Sequence, residues 1–229
     1  MRHPLRALIL LTALAFGAPP LAAQGSDTTT LTPVRRRAVL ANPAHPYWKS
    51  KAPDTVALDL ESSKGTITIE LIREWAPLGV DRFYNLARAG YFDDTRFYRV
   101  VAGYIAQFGL AANPATASLW RNRKLRPDSL RTNNVRGTVT YAQHNARDRA
   151  TDLFINLRDN PTLDSLGFAP IGRVIEGMEV ADSLHWGYGD IPSLPAPMGN
   201  PRRFYGESNR YLDKEFPKLD RIVSIKVRR

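Results

Sequence analysis

The chain of 229 residues contains no cysteine and only four histidines, His3, His45, His144 and His185. Without cysteine there is no disulfide, thiol nucleophile or thiolate metal site. The scattered histidines lack the i, i+4 or short-loop spacing of a zinc site, so neither metal nor cofactor is expected. A GxSxG nucleophile elbow and a glycine-rich phosphate loop are absent too. The apolar run ALILLTALAFGA at residues 7–18 is short for a membrane span of ~20 residues.

What is present is an ordinary soluble composition, 43% hydrophobic and 24% charged, with a formal charge of +10. The basic MRHPLR, the apolar run and the small residues of PPLAAQ have the three-part order of a Sec-type export signal over residues 1–24. The mature chain is then expected to begin near Gly25 and to be periplasmic or secreted. Its cysteine-free composition suits an exported protein that does not depend on oxidation. Residues 25–54 are polar and dotted with proline, carry RRR at 35–37, and read as a tether with a partly ordered end. Residues 55–229 form the remaining domain.

Within that domain, Val56, Leu58 and Leu60 alternate, as do Ile67, Ile69 and Leu71 after the turn SKG, which predicts a hairpin. APLGVDRFYNLARAG predicts a helix, with Pro77 in its first turn and Gly90 at its stop. Residues 110–134 read as a basic loop or short helix, and GTVTYAQ, DLFINL and RIVSIKV read as strands. FAPIGRVIEGMEVADSLH predicts a strand and a short helix, residues 187–209 a loop, and NRYLDKEFPKL a helix. Many short strands with few helices point to an antiparallel barrel. Trp120 is expected to tuck onto it from a solvated basic loop, and Trp75 and Trp186 to pack at helix ends.

The segment RFYRVVAGYIAQFG, residues 96–109, is a strand pattern with a guanidinium inside it. Burying Arg99 is costly unless a neighbour uses it. Arg99 and Gln107 each lie four residues from Gly103, so a reversal there sets them side by side on antiparallel strands.

These residues resemble the cyclophilin-type peptidylprolyl cis-trans isomerases. GTITIELIREWAP, FYNLARAGYFDDTRFYRVVAGYIAQFG, NVRGTVTYAQ, LFINLRDNPTLD and GFAPIGRVIEGMEVAD match in order and spacing. The resemblance implies a mainly β fold, a closed eight-stranded antiparallel barrel capped by two helices. Carried over by position, it implies catalytic roles for Arg99, Gln107 and Phe154. It also implies substrate contacts from Tyr104, Ile105, Ala142, Gln143, Asp152, Leu163 and Phe168. Proline-containing polypeptides are the implied substrates and a cyclosporin-type molecule an implied ligand, with a monomer acting in the folding of exported chains and no nucleic-acid partner.

The chemistry suits these residue types. Rotation about X-Pro must break amide resonance over about 18–20 kcal/mol, and no bond to the substrate forms. A donor that cannot lose its proton, aimed at the prolyl nitrogen, and an apolar pocket for the ring are sufficient.

Several positions depart from the family pattern. Asp152 stands where glutamine is usual, Thr162 for tryptophan, Gln143 for asparagine, and Tyr98 and Ala102 for histidine and proline. Phe168 is expected to supply the wall where the family's histidine is missing. Asp152 is expected to pair with Arg99 or Arg149, and Asp152→Gln to raise activity by freeing donors. A non-catalytic module that holds proline segments would keep Phe154 and Ile105 without needing Arg99. A barrel for anionic polymers would need no apolar pocket.

Overall fold

A computed structural model describes residues 31–145, 147–189 and 201–228. Residues 1–24, expected to be an export signal, and the start of the expected tether fall outside them. Nine strands form one sheet: β1 (Thr55–Ser62), β2 (Gly65–Ile72), β3 (Thr95–Arg96), β4 (Arg99–Val101), β5 (Ile105–Phe108), β6 (Thr138–Tyr141), β7 (Leu153–Asn156), β8 (Pro170–Glu176) and β9 (Arg221–Val227). Their spatial order is β3-β9-β1-β2-β8-β6-β7-β5-β4, and every pairing is antiparallel.

The expected closed eight-stranded barrel is corrected here to a nine-stranded curled sheet, a half-barrel. Its edge strands β3 and β4 share no ladder. They are successive along the chain and joined only by Phe97 and Tyr98, but β3 pairs with β9 and β4 with β5 instead of with each other. The covalent chain therefore crosses between the two edges.

The described residues hold seven α-helices instead of two: α1 (Pro33–Ala41), α2 (Pro77–Arg88), α3 (Pro114–Trp120), α4 (Pro161–Ser165), α5 (Met178–Asp182), α6 (Pro201–Glu207) and α7 (Asn209–Glu215). Helix α6 lies in the stretch read as loop. It starts on a proline and buries Phe204, so packing outweighs a local composition rich in proline and glycine.

Alternation builds the core. Leu58 and Leu60 of β1 and Ile67, Ile69 and Leu71 of β2 are buried beneath Val80, Phe83 and Leu86 of α2. Ala76 offers no side-chain cap to α2. The Asp128 carboxylate caps it from a distant loop, accepting from the Leu78 and Gly79 amides at 3.0 and 2.9 Å. At the other end Gly90 takes φ +74°, while the Gly90 and Tyr91 amides bond the Ala87 and Leu86 carbonyls at 2.9 and 3.0 Å. This is the Schellman stop that the sequence predicts.

Residues 33–52 lie on the domain surface. Val39 is buried, Arg36 pairs with Asp93 at 3.0 Å, and Trp48 stacks edge-on against Trp120 with ring centroids 4.6 Å apart. Trp120 is buried as expected and donates Nε1–H to the Leu40 carbonyl at 2.9 Å. Trp75 is half-buried. Trp186 is 60% exposed and does not pack as expected.

Candidate active site

The two faces of the β4-β5-β7-β6 sheet differ. Val100, Ala106, Phe108, Leu153, Ile155, Val139 and Tyr141 point into the main core. The opposite face carries the alternate residues. Arg99 is the cross-strand partner of Gln107, Gln107 of Phe154, and Phe154 of Thr140. Four strands thus present one row of side chains on one face, because paired positions point the same way. The turn after β4 makes this register, with Gly103 at φ +64° and the Tyr104 amide bonded to the Val101 carbonyl at 2.9 Å.

A second apolar cluster, separate from the core, sits on this face. Ile105, Phe154 and Leu163 are buried in it, and Tyr104, Ala142 and Phe168 pack around them. Phe168 reaches Phe154 with ring centroids 6.0 Å apart. It is aimed by the end of α4, where Gly167 takes φ +75° and the Phe168 amide bonds the Leu163 carbonyl at 3.1 Å. The residues expected to line the pocket, Phe154, Ile105, Leu163, Tyr104, Ala142 and Phe168, are therefore brought together in one cluster. Gln143 stands at its rim, half-buried, with Nε2 3.5 Å from the Leu166 carbonyl.

Arg99 is half-buried, and its Nη1–H donates to Gln107 Oε1 at 3.0 Å. Gln107 Nε2 donates to the Tyr98 hydroxyl at 2.9 Å, and that hydroxyl donates to Asp152 Oδ1 at 2.7 Å. The expected pairing of Asp152 with Arg99 or Arg149 is corrected: among the described residues its carboxylate bonds Tyr98, so the gain in activity expected of Asp152→Gln, which assumed that pairing, loses its ground. Arg149 is instead committed to Asp128 at 3.2 Å and to the Arg126 carbonyl. Burial raises the Asp152 pKa above the usual carboxylate range, against the opposing effect of the Tyr98 hydrogen bond. Burial, and then the Asp152 charge, holds the Tyr98 phenol well above its ordinary value.

Three asparagines that sequence reasoning missed hold the pocket wall. Asn156 donates to Thr138 Oγ1 at 2.9 Å, and Asn160 donates to Asn156 Oδ1 at 2.7 Å and to the Tyr104 carbonyl at 3.2 Å. Asn134 donates to Asp164 and to the Phe168 carbonyl, both at 2.8 Å. Their signal was an asparagine, Asn156, at an outward position of a strand where polar burial demands partners.

A sequence profile described as cyclophilin type peptidyl-prolyl cis-trans isomerase/CLD matches residues 57–195, well over half of the chain. The chain belongs to this family. It is a cyclophilin-type peptidyl-prolyl cis-trans isomerase. Among curated cyclophilins, peptidyl-prolyl cis-trans isomerase A of Dickeya dadantii is 33% identical over 156 residues, 59% of this chain and 78% of that one. An isomerase of Streptomyces antibioticus is 31% identical over 159 residues, 60% of this chain and 92% of its own. In fold, the chain resembles a cyclophilin-type isomerase of Cryptosporidium parvum with TM-score 0.55 and 16% identity, covering 76% of this chain and 98% of that one. That protein was also solved in the presence of the dipeptide Ala-Pro. Helices α6 and α7 and strand β9 lie beyond the matched segment of this cyclophilin.

Proposed function

We propose that Arg99 is the catalytic donor of this isomerase and that Phe154, Ile105, Leu163 and Phe168 hold the substrate prolyl ring. The observation that carries this reading is the cross-strand row in which Gln107 stands between Arg99 and Phe154 and bonds the guanidinium at 3.0 Å. Arg99 and Phe154 are two strands apart, roughly 10 Å between backbones at normal strand spacing. A pyrrolidine ring on Phe154 then puts its nitrogen within reach of the long arginine side chain. As the amide twists, the prolyl nitrogen becomes pyramidal and its lone pair, delocalised into the carbonyl in the planar amide, localises on it. A guanidinium N–H bonds that lone pair, which the planar amide does not offer, so the interaction favours the twisted state over the ground state. The apolar pocket strips water from the amide and favours the same state, which has less charge separation.

The substrates we infer are proline-containing polypeptides outside the cytoplasm, whose folding waits on slow X-Pro isomerisation. The n-, h- and c-region order of residues 1–24 supports export. The same apolar pocket supports competition by a cyclosporin-type cyclic peptide. The test is a coupled proteolysis assay on an Ala-Pro peptide, comparing the full chain with Arg99→Ala. Full activity in a folded Arg99→Ala protein refutes the assignment. Intact-mass analysis of extracytoplasmic material tests export, and retention of Met1 refutes it.

A further inference from the structure

We propose that Tyr98 and Asp152 are positioning residues of the isomerase reaction: through Gln107 they set the direction in which the Arg99 guanidinium is held. This rests on the reading of Arg99 as the catalytic donor.

The argument is one of hydrogen-bond direction. An ionised carboxylate only accepts, and a phenol has a single proton. Tyr98 therefore gives its proton to Asp152 at 2.7 Å and must accept from Gln107 Nε2 at 2.9 Å. With its amino group committed there, Gln107 turns its carbonyl oxygen to Arg99 Nη1 at 3.0 Å. Each link fixes the next, and the carboxylate starts the sequence. If Asp152 becomes a donor, by protonation or replacement with asparagine, the phenol proton can turn to Gln107. The amide then flips and sets its NH₂ against the guanidinium N–H, donor against donor, and Gln107 no longer holds Arg99 in this direction. Tyr98 cannot swing away to compensate, because its ring is buried against Phe204 of α6.

The charged and titratable groups facing Asp152 are Tyr98, Lys124, His144, Tyr91 and Tyr205. The active form is the ionised carboxylate, so activity falls as pH drops through the Asp152 pKa. Burial moves that limb above the ordinary carboxylate range.

The test measures kcat and KM on an Ala-Pro peptide for the full chain and for Tyr98→Phe, Asp152→Asn, Arg99→Ala and Tyr98→Phe combined with Arg99→Ala. Near-UV circular dichroism verifies each fold, and Phe keeps the ring against Phe204. Tyr98→Phe and Asp152→Asn are each expected to lower kcat by about tenfold with KM nearly unchanged. Tyr98→Phe is expected to add nothing in the Arg99→Ala background. The native protein is expected to show an acid limb in kcat that Asp152→Asn abolishes and His144→Gln keeps. Wild-type kcat in either single variant overturns the proposal, as does an equal further loss on top of Arg99→Ala or a native profile without the limb. If Arg99→Ala is itself fully active, the assignment of Arg99 fails, and the relay with it. If Arg99→Ala is inactive while Tyr98→Phe is normal, the relay alone fails.

Discussion

Phe204 meets Tyr98 edge-on, with ring centroids 5.1 Å apart and ring planes at 80°. A helix beyond the family-matched segment thus packs behind the residue that precedes Arg99. Phe204 is buried, so Phe204→Ala is expected to destabilise the fold by about 3–5 kcal/mol. It should also lower kcat, because Tyr98 gains room to move. Denaturation and peptide kinetics on the same preparations test this, and a destabilised variant with wild-type kcat would show that α6 braces the fold without bracing the site.

Arg99→Ala is expected to cut kcat/KM by at least tenfold, or about 1.4 kcal/mol of transition-state stabilisation. Arg99→Lys should remain impaired. An ammonium carries charge but lacks the planar fork that can hold Gln107 and point a second N–H elsewhere. Recovery of wild-type kcat/KM by lysine would mean that charge alone suffices.

Phe154→Ala should raise KM more than it lowers kcat, since it removes the pocket floor and leaves Arg99 in place. Its stability cost is expected at the lower end for such truncations, about 3 kcal/mol. Phe154 belongs to the small outer cluster, not to the main core. A calorimetric or denaturant measurement beside the kinetics separates the two effects.

Asp128 and Arg149 are nearly fully buried, with side-chain exposures of 3% and 2%. The same carboxylate caps α2. Asp128→Ala leaves a buried guanidinium without its counter-charge and the helix N-terminus uncapped, and is expected to cost about 3–5 kcal/mol. At roughly 2–4 °C per kcal/mol for a chain of this size, the Tm should fall by about 10 °C. A drop within error would show that water replaces the carboxylate.

Acid should affect activity and stability at Asp152 with opposite signs. Its folded pKa is raised above the unfolded value. The native state therefore takes up the proton first, and this group's contribution to stability is full below its unfolded pKa and lost as pH rises through the folded one. Activity follows the ionised form and declines on acidification through the same window. Compared with Asp152→Asn, the native protein should gain relative stability in acid while losing kcat. Loss of both together in that window, attributable to Asp152, contradicts the sign.

Local order in the chain was enough for much of this protein. Alternation at Leu58, Leu60, Ile67, Ile69 and Leu71 specifies buried strand faces, and Pro77 and Gly90 bound α2, because both signals act over a few residues of backbone. Equal offsets from Gly103 predict the pairing of Arg99 with Gln107, since a tight reversal sets register by counting. The partner of Asp152 could not be read this way. Tyr98 lies 54 residues from it in sequence, and an acceptor takes whichever donor folding brings within 3 Å. Helix α6 was missed because its burial depends on a tyrosine in another part of the chain. The open edge between β3 and β4 likewise follows from how the whole sheet curls. Periodicity and turn chemistry are short-range and belong to the sequence alone. Which buried polar groups meet, and which helix braces them, was decided by long-range packing in the tertiary structure.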